Sequence, residues 1–173
     1  VGPQRTFDGP ALAQISMPLG GIGTGTLSVG GRGNLQDWEI FNRPAKGLNF
    51  PFVFFALWCR AKGKEPVTRI LEGPVPPPWT GDMGLAHAKA PGLPRMRRAR
   101  FTGTYPMARV EFSDPTIPLQ VTLVAFNPMV PHDPEISGIP GVLFVWRLTN
   151  KGRKPVAASV AATAFNSVGL PHA

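Results

Sequence analysis

The densest concentration of chemistry-bearing side chains lies where Asp37, Trp38, Glu39, Asn42 and Arg43 fall within seven positions. An aromatic ring flanked by carboxylates and amides is what sugar recognition uses, since apolar sugar faces stack on rings while hydroxyls take polar partners. A joint between two domains uses the same residue types, and taken alone the segment favours that structural role. Both readings stay open at this point.

A second cluster is basic. Arg95, Arg97, Arg98 and Arg100 could clamp phosphates, with Phe101 or Tyr105 as a stacking surface. No nucleic-acid fold signature accompanies them, so a solvated loop is the preferred reading and the four arginines stand as a candidate anion-binding loop. The glycines of Gly20–Thr26 invite a phosphate-loop comparison, because close glycines let backbone N–H groups approach an anion. The Gly-Lys-Ser/Thr of a P-loop is missing, and the segment runs into Leu27, Ser28 and Val29 rather than into a helix. These glycines are expected to permit a close backbone approach or a bulge within a strand.

Metal and nucleophile chemistry find no support. His87, His132 and His172 lie far apart, and Cys59 stands alone in an apolar run. Ser16, Ser28 and Ser113 lack a nucleophile-elbow motif, and Ser159 is expected in a buried strand. No metal and no cofactor is expected.

The elements that must position these residues are strands. Twenty glycines and 21 prolines in 173 residues leave little room for long helices. Ile22–Val29 reads as a strand, and the nearly continuous apolar run Val53–Ala61 as a central strand covered on both faces. A turn at Lys62–Lys64 leads into Val67–Leu71 and makes a hairpin. Gly73–Arg100 reads as one long irregular loop. Beyond it Ala108, Val110 and Phe112 alternate with Arg109 and Glu111. A turn at Asp114–Thr116 then leads to a strand with Leu119, Val121, Leu123 and Ala125 on one side. Val142–Thr149 and Val156–Phe165, joined by Asn150–Lys154, form the sharpest hairpin of the chain. Trp58 and Trp146 fall inside apolar strands and are expected in the core. Sequential strands with short turns and no helical crossover indicate an all-β antiparallel β-sandwich, a single segment over residues 1–173 with no internal repeat.

Composition sets the outer bounds. With 43% hydrophobic and 16% charged residues the chain is suited to a folded core. Its longest apolar run, Phe50–Cys59, contains Pro51 and is about half the ~20 residues of a spanning helix. The first seven residues show no signal-peptide core, and one cysteine allows no internal disulfide, so a cytoplasmic setting is expected. Eighteen Lys and Arg against ten acids give a formal charge of +8, which suits an anionic partner.

Several segments together carry a resemblance. Pro18–Thr26, Gly31–Gly33 and Asp37–Asn42 resemble the opening of glycoside hydrolase family 116, the family of non-lysosomal glucosylceramidase and bile-acid β-glucosidase. Gly103–Pro106, the Asp114–Pro115 turn, Ala125–Pro128 and Leu148–Asn150 follow in the order of that family's N-terminal β-sandwich, so the resemblance runs from about Ile15 to Asn166. It implies an incomplete portion of a larger two-sheet N-terminal domain. It also implies an (α/α)6 barrel elsewhere in the polypeptide that carries a Glu nucleophile and an Asp acid/base.

Retaining hydrolysis needs two carboxyl groups roughly 5 Å apart, one with a raised pKa and one ionised. No carboxylate here matches the family's catalytic motifs. Asp37 and Glu39 would share a strand face about 7 Å apart, and nothing around them suggests unequal environments, so no catalytic residue is assigned. The resemblance implies that Asp37, Trp38, Glu39, Asn42 and Arg43 lie at the joint with the barrel, beside the substrate entrance, in an enzyme acting on β-glucosides such as glucosylceramide. Peripheral membrane contact and self-association through open strand edges are further expectations. Two alternatives remain: a stand-alone carbohydrate-binding module with Trp38 or Trp79 as platform, and a basic-loop binder of nucleic acid or anionic lipid.

Overall fold

The computed structural model describes residues 5–77 and 90–166. In chain order the strands are β1 (Arg5–Asp8), β2 (Ser16–Leu19), β3 (Thr26–Gly30), β4 (Leu35–Glu39), β5 (Phe54–Ala61) and β6 (Val67–Ile70). They continue as β7 (Arg98–Thr104), β8 (Met107–Ser113), β9 (Gln120–Phe126), β10 (Leu143–Thr149) and β11 (Val156–Thr163); the described residues also include a 3-10 turn at Gly9–Gln14 and a short α-helix, α1 (Pro134–Ser137). Three antiparallel sheets result: β1-β7-β8-β9-β10, β11-β5-β6, and β2-β3-β4. The protein is an all-β sandwich.

The core follows from alternation. Val110 faces Leu123, Phe112 faces Val121 and Ala108 faces Ala125 across β8 and β9, and all six are buried. The Asp114 carboxylate fixes the connecting turn by accepting from the Thr116 N–H at 2.8 Å, the local bond that makes Asp a turn former. The β11-β5-β6 sheet lies over this surface through Phe55. Its ring centroid is 5.2 Å from those of both Phe144 and Trp146, while Trp146 stacks on Phe112 at 6.0 Å. On the β6 side the two sheets are tied together. The Ile70 N–H donates to the Pro94 carbonyl at 2.8 Å, and the Met96 N–H to the Glu72 carbonyl at 3.0 Å.

Several expectations are corrected. The sharpest expected hairpin does not form: β10 pairs with β9 and β11 pairs with β5, so residues 150–155 carry the chain from one sheet to the other. A short polar connection between two apolar strands is compatible with either a hairpin or a sheet change. The preference of β9 and β5 for these partners decides it. The run Val53–Ala61 is central in its sheet, but only one of its faces is covered. Leu57 and Cys59 are buried, whereas Trp58 is 36% exposed with the Arg60 guanidinium 5.8 Å above its ring. Trp58 is therefore a surface ring, and Ser159 is exposed on β11; Trp146 packs against the core as expected.

The expected strand at Ile22 begins instead at Thr26. Residues 20–25 form a turn pressed against the segment after α1, and a Cβ on Gly21 would stand 2.3 Å from the Ile139 carbonyl oxygen. The close-approach reading of these glycines holds, in a turn rather than within a strand. Finally, the expected loop Gly73–Arg100 is shorter than its composition suggests. Met96 and Ala99 are buried anchors between the arginines, and β7 has begun by Arg98. Residues 78–89, with Trp79 and His87, lie outside the described residues.

Candidate functional site

The Asp37–Arg43 segment leaves the small sheet through a β-bulge. Val29 pairs with Leu35 and Ser28 with Gln36, but the next pair is Thr26 with Glu39, so Asp37 and Trp38 together oppose Leu27. Asp37 takes the left-handed conformation, φ 54°, which Asp and Asn tolerate better than most side chains. Gly25 makes room on the adjoining turn, where a Cβ would meet the Glu39 carbonyl oxygen at 2.8 Å.

Both carboxylates grip the loop that follows. Asp37 accepts from the Gly47 N–H at 2.7 Å and from the Ser16 hydroxyl at 2.5 Å. Glu39 accepts from the Lys46 ammonium at 2.8 Å, the Ala45 N–H at 3.2 Å and the Thr26 hydroxyl at 3.3 Å. Phe50 is the hub of an aromatic group over the same loop. Its centroid lies 5.4 Å from Trp38, 6.2 Å from Phe41 and 5.2 Å from Phe165, the last nearly parallel. Trp38 is thus half-buried, and its indole N–H has no acceptor among the described residues. Asn42, at φ 54°, and Arg43 are exposed beyond the bulge. Ile40 and Phe52 are exposed at the loop's outer side, Phe52 to 58%.

The electrostatics follow from these bonds. Partial burial pushes the Asp37 carboxyl up, but the bonds from Ser16 and Gly47, with the nearby Lys46 charge, outweigh it and hold the group below the ordinary carboxylate range. The Lys46 hydrogen bond, then the Ala45 N–H, holds Glu39 low as well, and Lys46 is raised in return. Both acids are ionised at neutral pH. Both carboxyls are shifted in the same direction, whereas sugar hydrolysis uses two acids whose pKa values are pushed apart. Sequence reasoning missed Ser16, Lys46 and Gly47 as partners, and Phe50 and Phe165 as ring contacts. The opposite charges of Glu39 and Lys46 were a readable signal. Nothing in the sequence ties Phe165 to Phe50.

Residues 16–172 match the family model described as beta-glucosidase 2, glycosyl-hydrolase family 116 N-term. The chain belongs to glycoside hydrolase family 116, as its N-terminal domain. The match includes every strand except β1 and takes in the whole bulged segment.

In this family 116 domain the basic run divides. Arg95 is half-buried with its Nε 3.2 Å from Glu72, whose carboxylate also takes Arg32. Arg100 lies on β7 with Asp8 at 3.7 Å, and Arg97 and Arg98 are exposed at the strand's start. The four arginines therefore do not share one solvated loop, because inward-facing Met96 and Ala99 pull the chain onto the sheet. A cleft of about 1600 Å³ beside them is lined by Arg32, Asn34 and Gln36 and by three acids, Asp8, Glu111 and Asp114. Each acid has a cation: Arg100 on Asp8, Arg109 on Glu111 at 2.7 Å, and Arg69 on Asp114 at 3.1 Å. Burial pushes the Asp114 carboxyl up, but the Thr116 and Arg69 bonds override it and keep the group low. Among the described residues no group of three or more His, Cys, Asp or Glu could hold a metal ion, and no helix is long and apolar enough to cross a membrane.

Proposed function

We propose that this domain is the non-catalytic sandwich of a retaining β-glucosidase acting on glucolipids such as glucosylceramide, and that it braces an (α/α)6 barrel of the same polypeptide. One observation supports this above the others: Asp37 and Glu39, two residues apart in the bulged segment, are both held ionised by the 45–47 turn they anchor. Carboxylates used in this way shape a loop. The two acids of the sugar-cleaving step then come from the barrel. The loop so shaped presents Ile40, Asn42, Arg43 and Phe52 outward, a mixture of apolar and hydrogen-bonding groups suited to a domain joint at the substrate entrance.

The test is turnover of an aryl β-glucoside by this chain and by the full-length enzyme, side by side. The expected result is activity in the full-length enzyme alone. Turnover by the 173-residue chain at a comparable rate overturns the division of labour. For the carbohydrate-module alternative, Trp38 has the Phe50 ring tilted against it at 5.4 Å, whereas Trp58 is an exposed ring on β5.

A further inference from the structure

Of the four arginines in the run from 95 to 100, two have acids and two do not. Arg95 is held by Glu72 and Arg100 lies 3.7 Å from Asp8, whereas Arg97 and Arg98 form no ion pair among the described residues. Their neighbours fix where they stand. Met96 and Ala99 are buried, and Ala99 pairs with the buried Phe112, so Arg98 and its partner Ser113 share the opposite, outward face of β7 and β8. Facing residues of an antiparallel pair have Cβ atoms about 4.5–5.5 Å apart, which sets the Ser113 hydroxyl beside the root of the Arg98 side chain.

Both arginines line a hollow of about 420 Å³ together with Ser113, Asp114 and Pro115. That volume lies within the ~300–1,000 Å³ of small-molecule sites. Asp114 does not compete for the guanidinium groups. Its Oδ1 accepts from the Thr116 N–H at 2.8 Å and the Thr116 hydroxyl at 2.6 Å, and its Oδ2 accepts from Arg69 at 3.1 Å. The hollow adjoins the 1600 Å³ cleft, because Arg97, Arg98, Ser113 and Asp114 line both. Lys151 also lines the cleft, exposed and without an ion pair among the described residues, so three cations there lack a counter-charge. Polar groups of another kind accompany them. Asn34 donates to the Gln36 side-chain carbonyl at 2.7 Å, which leaves the Gln36 amide N–H groups free for a ligand hydroxyl, and Gln120 lines the same cleft.

Nucleic acid does not suit this site. Single strands are held by bases stacked on rings. Phe101 and Phe112 are buried, and Tyr105 lies past the far end of β7, roughly 20 Å along the strand from Arg98. We propose that the hollow binds a phosphomonoester of a polyol: the phosphate between Arg97 and Arg98 with the Ser113 hydroxyl, and the polyol hydroxyls on the cleft amides. Three unmatched cations suit a dianion, and guanidinium forks take phosphate oxygens in pairs. Such a group occurs on a soluble sugar phosphate and on the inositol headgroup of a lipid. The site does not depend on the bracing role of the domain.

The experiment is calorimetric titration of the full-length protein with glucose 6-phosphate, inorganic phosphate and glucose. Flotation with phosphatidylcholine vesicles carrying phosphatidylinositol 4-phosphate or phosphatidylserine runs beside it. Glucose 6-phosphate should bind saturably with a Kd below about 1 mM, and more weakly as salt rises, while glucose gives no heat. The Arg97→Ala, Arg98→Ala double variant should lose about tenfold or more in affinity, and Arg98→Lys about threefold, since an ammonium cannot form the fork. Arg60→Ala, on the other sheet, should bind as wild type does. No saturable heat, an unaffected double variant, or an equal loss in Arg60→Ala overturns the proposal. Inorganic phosphate bound as tightly as glucose 6-phosphate overturns the polyol part, and equal flotation with phosphatidylserine overturns the phosphomonoester. Vesicle binding displaced by glucose 6-phosphate assigns the phosphate to a lipid headgroup; glucose 6-phosphate bound without flotation assigns it to a soluble sugar.

Discussion

Asp37 offers a sharp quantitative test, because its charge and its backbone conformation can be separated. Asn keeps the shape, tolerates φ 54° and still accepts one hydrogen bond, but it removes the charge. A bond to a charged acceptor contributes about 1.5–3 kcal/mol and a neutral one about 0.5–1.5. Asp37 receives two, from Ser16 and Gly47. Both donor residues are exposed and rehydrate readily, so Asp37→Asn should cost about 1.5 kcal/mol. Asp37→Ala loses both bonds and adds left-handed strain of about 1 kcal/mol, for a total of about 3.5. At this chain length about 2–4 °C of Tm accompanies each kcal/mol, so the variants should melt roughly 5 and 10 °C below wild type.

The pH dependence supplies the second half of the test. The folded carboxyl titrates below its ordinary value of 3.8, so its contribution is complete above that value and is lost as pH falls through the lower folded one. Urea unfolding at pH 7 and at successively lower pH should show the wild-type to Asn gap closing below 3.8, while the Asn to Ala gap persists. An Asp37→Asn protein as stable as wild type at pH 7, or a gap unchanged in acid, would refute this account of the loop.

Other outcomes follow from the same structure. Glu72→Gln removes the carboxylate shared by the half-buried Arg32 and Arg95 and should cost about 1.5–3 kcal/mol in chemical denaturation. Leu57→Ala, in the buried core, should cost about 2–5 kcal/mol, whereas Val160→Ala in the same chain should stay within about 0.5. Gly33→Ala combines φ +86° with a Cβ 2.6 Å from the Phe112 ring. It should lower the Tm clearly more than Gly63→Ala, where φ is +77° but the space is open.

The parts of the fold visible in the sequence were those set by alternation and local turns. Val110, Phe112, Val121 and Leu123 declared their common face by spacing alone, and the Asp114 turn between them is closed by its own side chain. The bulge at Asp37 was not visible. A regular strand and a bulged one share the same residues here, and the extra residue opposite Leu27 depends on how β3 presents Thr26 and Ser28. The aromatic hub at Phe50 was equally hidden, since Phe165 reaches it from the far end of the chain.

Residue types and their spacing determined an antiparallel β protein and its family resemblance. Those are local properties of the chain, and local stereochemistry expresses them. Which strands become neighbours was decided by tertiary structure: β10 and β11 read as a hairpin until β9 and β5 claim them for different layers. Trp58 and Trp146 illustrate the same limit. Both lie in apolar strands, yet only the layer above or below each strand determines which ring meets solvent.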